Sequence, residues 1–242
     1  MIKSSKLAAA AAATLLVSVN AQAATPKVPD DGYITHYAVN SEILDRWHGG
    51  VQGFAAKRNV EAKRGGFLSE MDAKRVNAYV GFDVFRWFTV YGLGGVLNVK
   101  NTKAFIPSDT TTVWGGGAMF SLLDDDQLDF LDTISRYRLS AGVEASYSDP
   151  NDLEWKQYDA WLTFEILNDT YLSDALFPTQ IGLFCGPVFS KVDMEGYEQV
   201  DDNDWGFEAG MSLRFADGIF VQGAYEWFGD DSVAAFSAGF RF

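Results

Sequence analysis

The chain has 242 residues, one cysteine, two histidines and a formal net charge of −14. A chain this acidic is no candidate for nucleic-acid binding, because phosphates need a basic surface. The lone Cys185 makes no internal disulfide, and after the first residues no run of 18 apolar residues offers a helical membrane span.

The first element is an export signal. Lys3 and Lys6 are positive, Leu7 to Val19 is apolar and uncharged, and Ala21-Gln22-Ala23 supplies small residues. This pattern predicts a signal peptide over 1–23. Its apolar run is too short for a helix that crosses a bilayer, which takes about 20 residues. Losing Lys3 and Lys6 takes the formal charge from −14 to −16.

Strands follow. Successive side chains of a strand point to opposite faces, so each face reads out every second residue. Val76, Ala78, Val80, Phe82 and Val84 alternate with Asn77, Tyr79, Gly81 and Asp83. Tyr137, Leu139, Ala141, Val143, Ala145 and Tyr147 alternate with Arg138, Ser140, Gly142, Glu144 and Ser146. The same alternation recurs around Asp159 and Glu165, then Glu208 and Arg214, then Glu226. Ten segments are expected, near 49–59, 75–85, 88–99, 111–122, 137–148, 155–166, 179–191, 205–215, 218–228 and 232–242. Most run 10–12 residues. Strands of soluble proteins run about 5–6, whereas a tilted strand across a bilayer needs about 9–11.

Length, alternation and aromatic row-ends predict an all-β, closed antiparallel transmembrane β-barrel of ten strands, with eight or twelve as alternative counts. A soluble β-sandwich would expose the polar rows to water. Here those rows are dominated by small residues such as Gly81, Gly142, Gly206, Ser140 and Ser212, which suits a crowded interior. Asp217-Gly218 and Gly229-Asp230 supply hairpin turns. Gly115-Gly116-Gly117 lies within a strand and is followed by no Lys-Ser/Thr, so it reads as close packing, not a phosphate loop.

The last segment places Phe236, Ala238, Phe240 and Phe242 on one face, and the chain stops on the aromatic. In this the sequence resembles the bacterial outer-membrane β-barrel proteins. The resemblance implies that Phe236, Phe240 and Phe242 form the signal read by the barrel-assembly machinery. It also implies periplasmic termini, hence a periplasmic lead over 24–47 and a barrel over 48–242. Outer loops are then expected near 60–74, 100–110, 149–154, 192–204 and 229–231, with periplasmic turns near 86–87, 123–136, 167–178 and 216–217. The two long turns could each hold a short helix. Leu128, Leu131 and Ile134 recur at three-residue spacing after Asp124-Asp125-Asp126, and Tyr171 to Leu176 follows Asn168-Asp169.

No catalytic constellation stands out. His36 falls in the lead and His48 at the start of the first strand, away from the outer rim where a surface hydrolase needs a base. Asp201 to Gly206 fails the calcium-loop pattern, with Trp205 at the fifth position and Ser212 at the twelfth. Neither metal nor cofactor is expected. The polar rows are expected to project Asp83, Arg138, Glu144, Asp159, Glu165, Glu208, Arg214, Glu226 and Arg241 into the lumen. Paired there, they would fill and rigidify a narrow barrel.

The expected function is that of a small structural or surface-interaction barrel. The first alternative is a narrow cation-preferring channel, because acids outnumber arginines in that set. The second is an outer-membrane hydrolase. Expected partners are outer-membrane lipid and lipopolysaccharide, with Lys57, Arg58, Lys63, Arg64, Lys74, Arg75, Lys100 and Lys103 offered as a basic rim toward lipid phosphates.

Overall fold

The computed structural model describes residues 46–62, 68–85, 87–101, 109–128, 134–149, 154–170, 177–194, 197–199, 204–215 and 218–241. The signal peptide, His36, Lys63, Arg64, Lys103 and Phe242 lie outside them. The strands are β1 (Trp47–Ala62), β2 (Leu68–Phe85), β3 (Phe88–Asn101), β4 (Asp109–Leu128), β5 (Ile134–Ser148), β6 (Trp155–Asp169), β7 (Gln180–Met194), β8 (Tyr197–Gln199), β9 (Trp205–Arg214), β10 (Ile219–Phe228) and β11 (Asp231–Arg241). Ten of them, all but β8, pair antiparallel with their neighbours, and β11 pairs back onto β1. The sheet therefore closes and leaves no free edge.

All ten expected strands are present, and most are longer than expected. The alternation does not stop at the membrane's thickness. β1 continues to Ala62 and β2 begins at Leu68, so much of the expected loop 60–74 is strand. The expected helix after Asp124 is corrected for the residues described. A register shift between Ser121 and Leu123 absorbs one residue, and Asp124, Asp125 and Asp126 then pair with Arg138, Tyr137 and Arg136. The bulge re-aims the row, and Arg136 and Arg138, both within ion-pair reach of Asp124, favour a ladder over a helical turn.

The barrel has a terminal end, where β1 starts and β11 stops, and a loop end. Stepping between partners from His48, the line runs through Gly81, Tyr91, Gly117, Glu144, Asp159 and Ser190. Continued in the same registers across β9, β10 and β11, it meets β1 again at Val60. That stagger between His48 and Val60 corresponds to a strand tilt of about 40°.

β8 was not foreseen. It pairs with β7 at Asp193 and Met194 and with β1 at Val60, Glu61 and Ala62. It thus joins β7 to β1 directly, above the tops of the three short strands β9, β10 and β11. The ring narrows from ten strands to eight at the loop end.

Inside, small and large side chains interlock. A Cβ added at Gly142 would strike the Trp161 indole, and one at Gly117 would strike the Tyr91 hydroxyl. The turn before β10 uses Gly218 at φ 72°, a conformation that favours glycine.

Candidate functional site: the lumen and its collar

Each long strand except β5 changes character along its length. In its lower part the outward row is apolar and the inward row polar. On β2, Val84, Phe82, Val80, Ala78 and Val76 face out, while Asp83, Gly81, Tyr79, Asn77 and Arg75 face in. Beyond Arg75 the pattern inverts: Lys74, Asp72 and Glu70 face out, and Ala73 and Met71 are buried inside. β7 behaves alike, with Leu183, Cys185, Pro187 and Phe189 outward before Lys191 and Asp193, and with Val192 and Met194 inside. A polar interior wrapped in an apolar wall suits lipid. An apolar interior wrapped in charge suits water. The barrel is therefore a membrane section carrying a water-facing collar, and the change comes near Lys74 and Lys191.

Aromatic rings mark both borders of the apolar wall. At the terminal end Trp47 packs on Phe82 at 4.9 Å and Phe88 on Phe120 at 4.8 Å. Toward the loop end Trp114 packs on Tyr147 at 5.5 Å, and Phe189 on Trp205 at 5.3 Å.

The lumen of the membrane section holds three polar clusters. In the first, Arg75 on β2 meets Glu144 on β5, while Arg75 also donates to Ser146 at 2.7 Å and lies 4.6 Å over the Phe54 ring. Tyr91 and Gln52 donate to the same carboxylate at 2.9 and 3.4 Å. In the second, Glu165 lies 3.4 Å from Arg138 and 3.3 Å from Arg214, and accepts from Ser212 at 2.6 Å. Asp124, brought inward by the bulge, accepts both Nε and a terminal nitrogen of Arg136 at 2.5 and 2.6 Å. In the third, Arg58 donates to Ser190 across the lumen at 2.7 Å and stacks on Phe228 at 4.4 Å. Asp159 accepts from Gln157 at 3.0 Å nearby.

The other expected lumen residues are placed as follows. Glu208 accepts from Thr163 at 2.9 Å, and Glu226 stands opposite Glu208 on the next strand, both buried. Asp83 accepts from Thr89 at 2.6 Å and faces His48 at 3.6 Å, low in the barrel. Arg241 pairs through its backbone with His48, and its side chain lies outside the described residues. Phe236 and Phe240 face outward on β11.

Arg58 and Arg75 are corrected. Both were expected on the rim, and both are buried inside at 2 % exposure. Parity along the strand was the available signal: Arg75 falls in phase with Asn77, Tyr79 and Asp83. It was missed because β2 was expected to begin there. Level with Arg58, and above the other two clusters, Val60, Met71, Ala73, Val99, Trp155, Val192 and Met194 fill the eight-strand collar. Among the described residues no group of three or more His, Cys, Asp or Glu side chains could hold a metal ion.

A shallow apolar depression of about 400 Å³ lies on the outer wall over Gly116, Ala118, Ala145 and Ala160. Cys185 is a free thiol on the same wall.

No protein-family model and no curated protein matches the chain. Among solved structures, it is similar to the transport unit of the autotransporter AIDA-I from Escherichia coli, with 10 % identity over 87 % of this chain and 95 % of that one and a TM-score of 0.35. The CymD monoaromatic hydrocarbon channel follows with 8 % identity over 90 % and 94 % and a TM-score of 0.27. Salmonella typhi OmpF in complex with daunomycin gives 9 % identity over 82 % and 98 % and a TM-score of 0.16. This chain's own architecture is a closed, antiparallel, ten-stranded β-barrel with an apolar outer wall.

Proposed function

We propose that this protein is a small barrel of the outer membrane, of structural or surface-interaction type, whose lumen is closed by its own side chains. The observation that carries this reading is the collar. Val60, Met71 and Trp155 are at most 2 % exposed in an eight-strand ring that sits over the polar lumen. Eight-strand barrels are narrow enough for side chains to fill. A hydrated ion would have to pass a dry constriction and then displace Arg75 from Glu144.

The test is single-channel recording on the purified, refolded barrel in planar bilayers. No resolved conductance is expected. Reproducible cation-selective steps would overturn the closed reading in favour of the channel, which the surplus of lumen acids over arginines supports. Hydrolysis has weaker support, since the His48–Asp83 contact is enclosed low in the barrel. As further parts of this reading, Phe236, Phe240 and Phe242 engage the assembly machinery, and lipopolysaccharide is among the lipids that surround the wall.

A further inference from the structure

We infer that four outward lysines, Lys57, Lys74, Lys156 and Lys191, form a ring that binds lipid headgroups bearing a net-anionic phosphate at the loop-end border of the membrane section. The inference rests on the proposed membrane location and adds a ligand chemistry to it.

The first observation is an order repeated on four strands. Moving out of the apolar wall, β1 presents Ala55, then Lys57, then Glu61; β2 presents Val76, then Lys74, then Asp72. β6 presents Tyr158 and Lys156, with Glu154 just before the strand, and β7 presents Phe189, Lys191 and Asp193. In each case the first outward charge beyond the apolar wall is a lysine, and an acid follows on the water side. β5 differs, with Asp149 first beyond Tyr147, so the lysines gather on two sides of the barrel, on β1–β2 and on β6–β7.

The second observation is that these lysines share one level. Neighbouring strands are offset by their registers and by the tilt. Combining the two places all four at the same height, next above the aromatic border made by Trp114, Tyr147, Tyr158 and Phe189. That level lies about 25 Å above the terminal-end aromatics, taking about ten strand residues of about 3.3 Å each at a tilt of about 40°. It matches the height of the apolar band of a membrane barrel, about 25 Å. Ammonium groups at this level meet lipid phosphates, while their stems lie along the apolar wall.

The third observation concerns competition. Lys57 lies 3.8 Å from Glu70, Lys156 3.0 Å from Glu154 and Lys191 3.9 Å from Asp204, with the lysine side chains 57, 37 and 56 % exposed. Exposed ion pairs of this kind are weak. A lipid phosphomonoester, with up to about two negative charges and fixed at the right depth, displaces them.

The test uses the mature barrel in nanodiscs of phosphatidylcholine with a minority of phosphatidic acid. After mild detergent release, retained lipid is counted by native mass spectrometry. The wild-type barrel is expected to retain phosphatidic acid over phosphatidylcholine by at least about tenfold, with about fivefold lost for each engaged lysine replaced. The variant K57Q/K74Q/K156Q/K191Q is expected to lose the preference. The variant D72N/D193N, which neutralises the acids beyond the ring, is expected to keep it. Equal retention by the wild-type and lysine variants overturns the inference. So does abolition of retention by millimolar inorganic phosphate, which would make the ring a site for the free ion. If the fourfold variant does not fold, K156Q/K191Q is read in its place. A wild-type chain that partitions to water, with no heat-modifiable band, would instead sink the barrel reading itself.

Discussion

Arg75 reaches from β2 across the lumen to Glu144 on β5, and the pair is enclosed, with side chains 2 and 0 % exposed. Tyr91 and Gln52 also donate to Glu144, and Arg75 also donates to Ser146. Removing one member of such a pair strands the other without its countercharge, at a cost of about 3–5 kcal/mol. Arg75→Leu is therefore expected to lower the temperature at which the compact, fast-migrating band converts to the slow unfolded one on a denaturing gel. The double variant Arg75→Leu/Glu144→Leu is expected to recover much of that loss. An unchanged conversion temperature in the single variant would show that the pair does not hold the walls together.

The fit of Gly142 beneath Trp161 gives a second expectation. A Cβ at position 142 collides with the indole, and overpacking costs about 1–3 kcal/mol. Gly142→Val is expected to reduce refolding yield into detergent micelles, and Trp161→Ala in the same chain to restore it. Restoration failing while Trp161→Ala alone folds normally would argue that the glycine serves the backbone instead.

The seven tryptophans divide by face. Trp47, Trp87, Trp114, Trp205 and Trp227 are 40–68 % exposed on the wall or its border, whereas Trp155 and Trp161 are inside at 2 and 5 %. In single-tryptophan variants placed in vesicles, lipids brominated on the acyl chains are expected to quench Trp205 and Trp114 strongly and Trp155 and Trp161 weakly. The reverse pattern would mean an inside-out assignment of the rows.

The collar and the membrane section are expected to fail separately. Met194 is buried within the collar at 3 % exposure and pairs with Trp155, so Met194→Asp places a charge in an apolar core, where it costs several kcal/mol. Protease added to the loop-end side is expected to cut this variant near its loop-end strand extensions. The trimmed product is expected to stay heat-modifiable, because the apolar wall and the Glu144 and Glu165 clusters lie below. Loss of the compact band along with cleavage would show the two parts to be one cooperative unit.

Much of the architecture is legible along the chain. Alternation has a period of two in any strand, and lipid outside with a packed polar lumen inside enforces it residue by residue. That is why the ten strands, and the inward faces of Glu144, Glu165, Glu208 and Arg214, follow from local sequence. The closing hairpins follow too, because Gly218 and Gly229 adopt the positive φ such turns demand.

What the chain alone could not decide depends on position in space. The inversion at Lys74 keeps the period of two and only exchanges which row is apolar, so along the sequence it reads as the end of a strand. Parity with Asn77 and Tyr79 puts Arg75 inside, but only the closed ring shows that the strand runs on past it, with Lys74 outside and Ala73 within. The bulge at Ser121–Leu123 and the pairing of β8 with both β7 and β1 join residues far apart in sequence, and no local preference encodes such a join. The residues set the two faces of each strand. The tertiary structure set where along the barrel those faces exchange lipid for water, because that depends on the stagger accumulated over all ten strands.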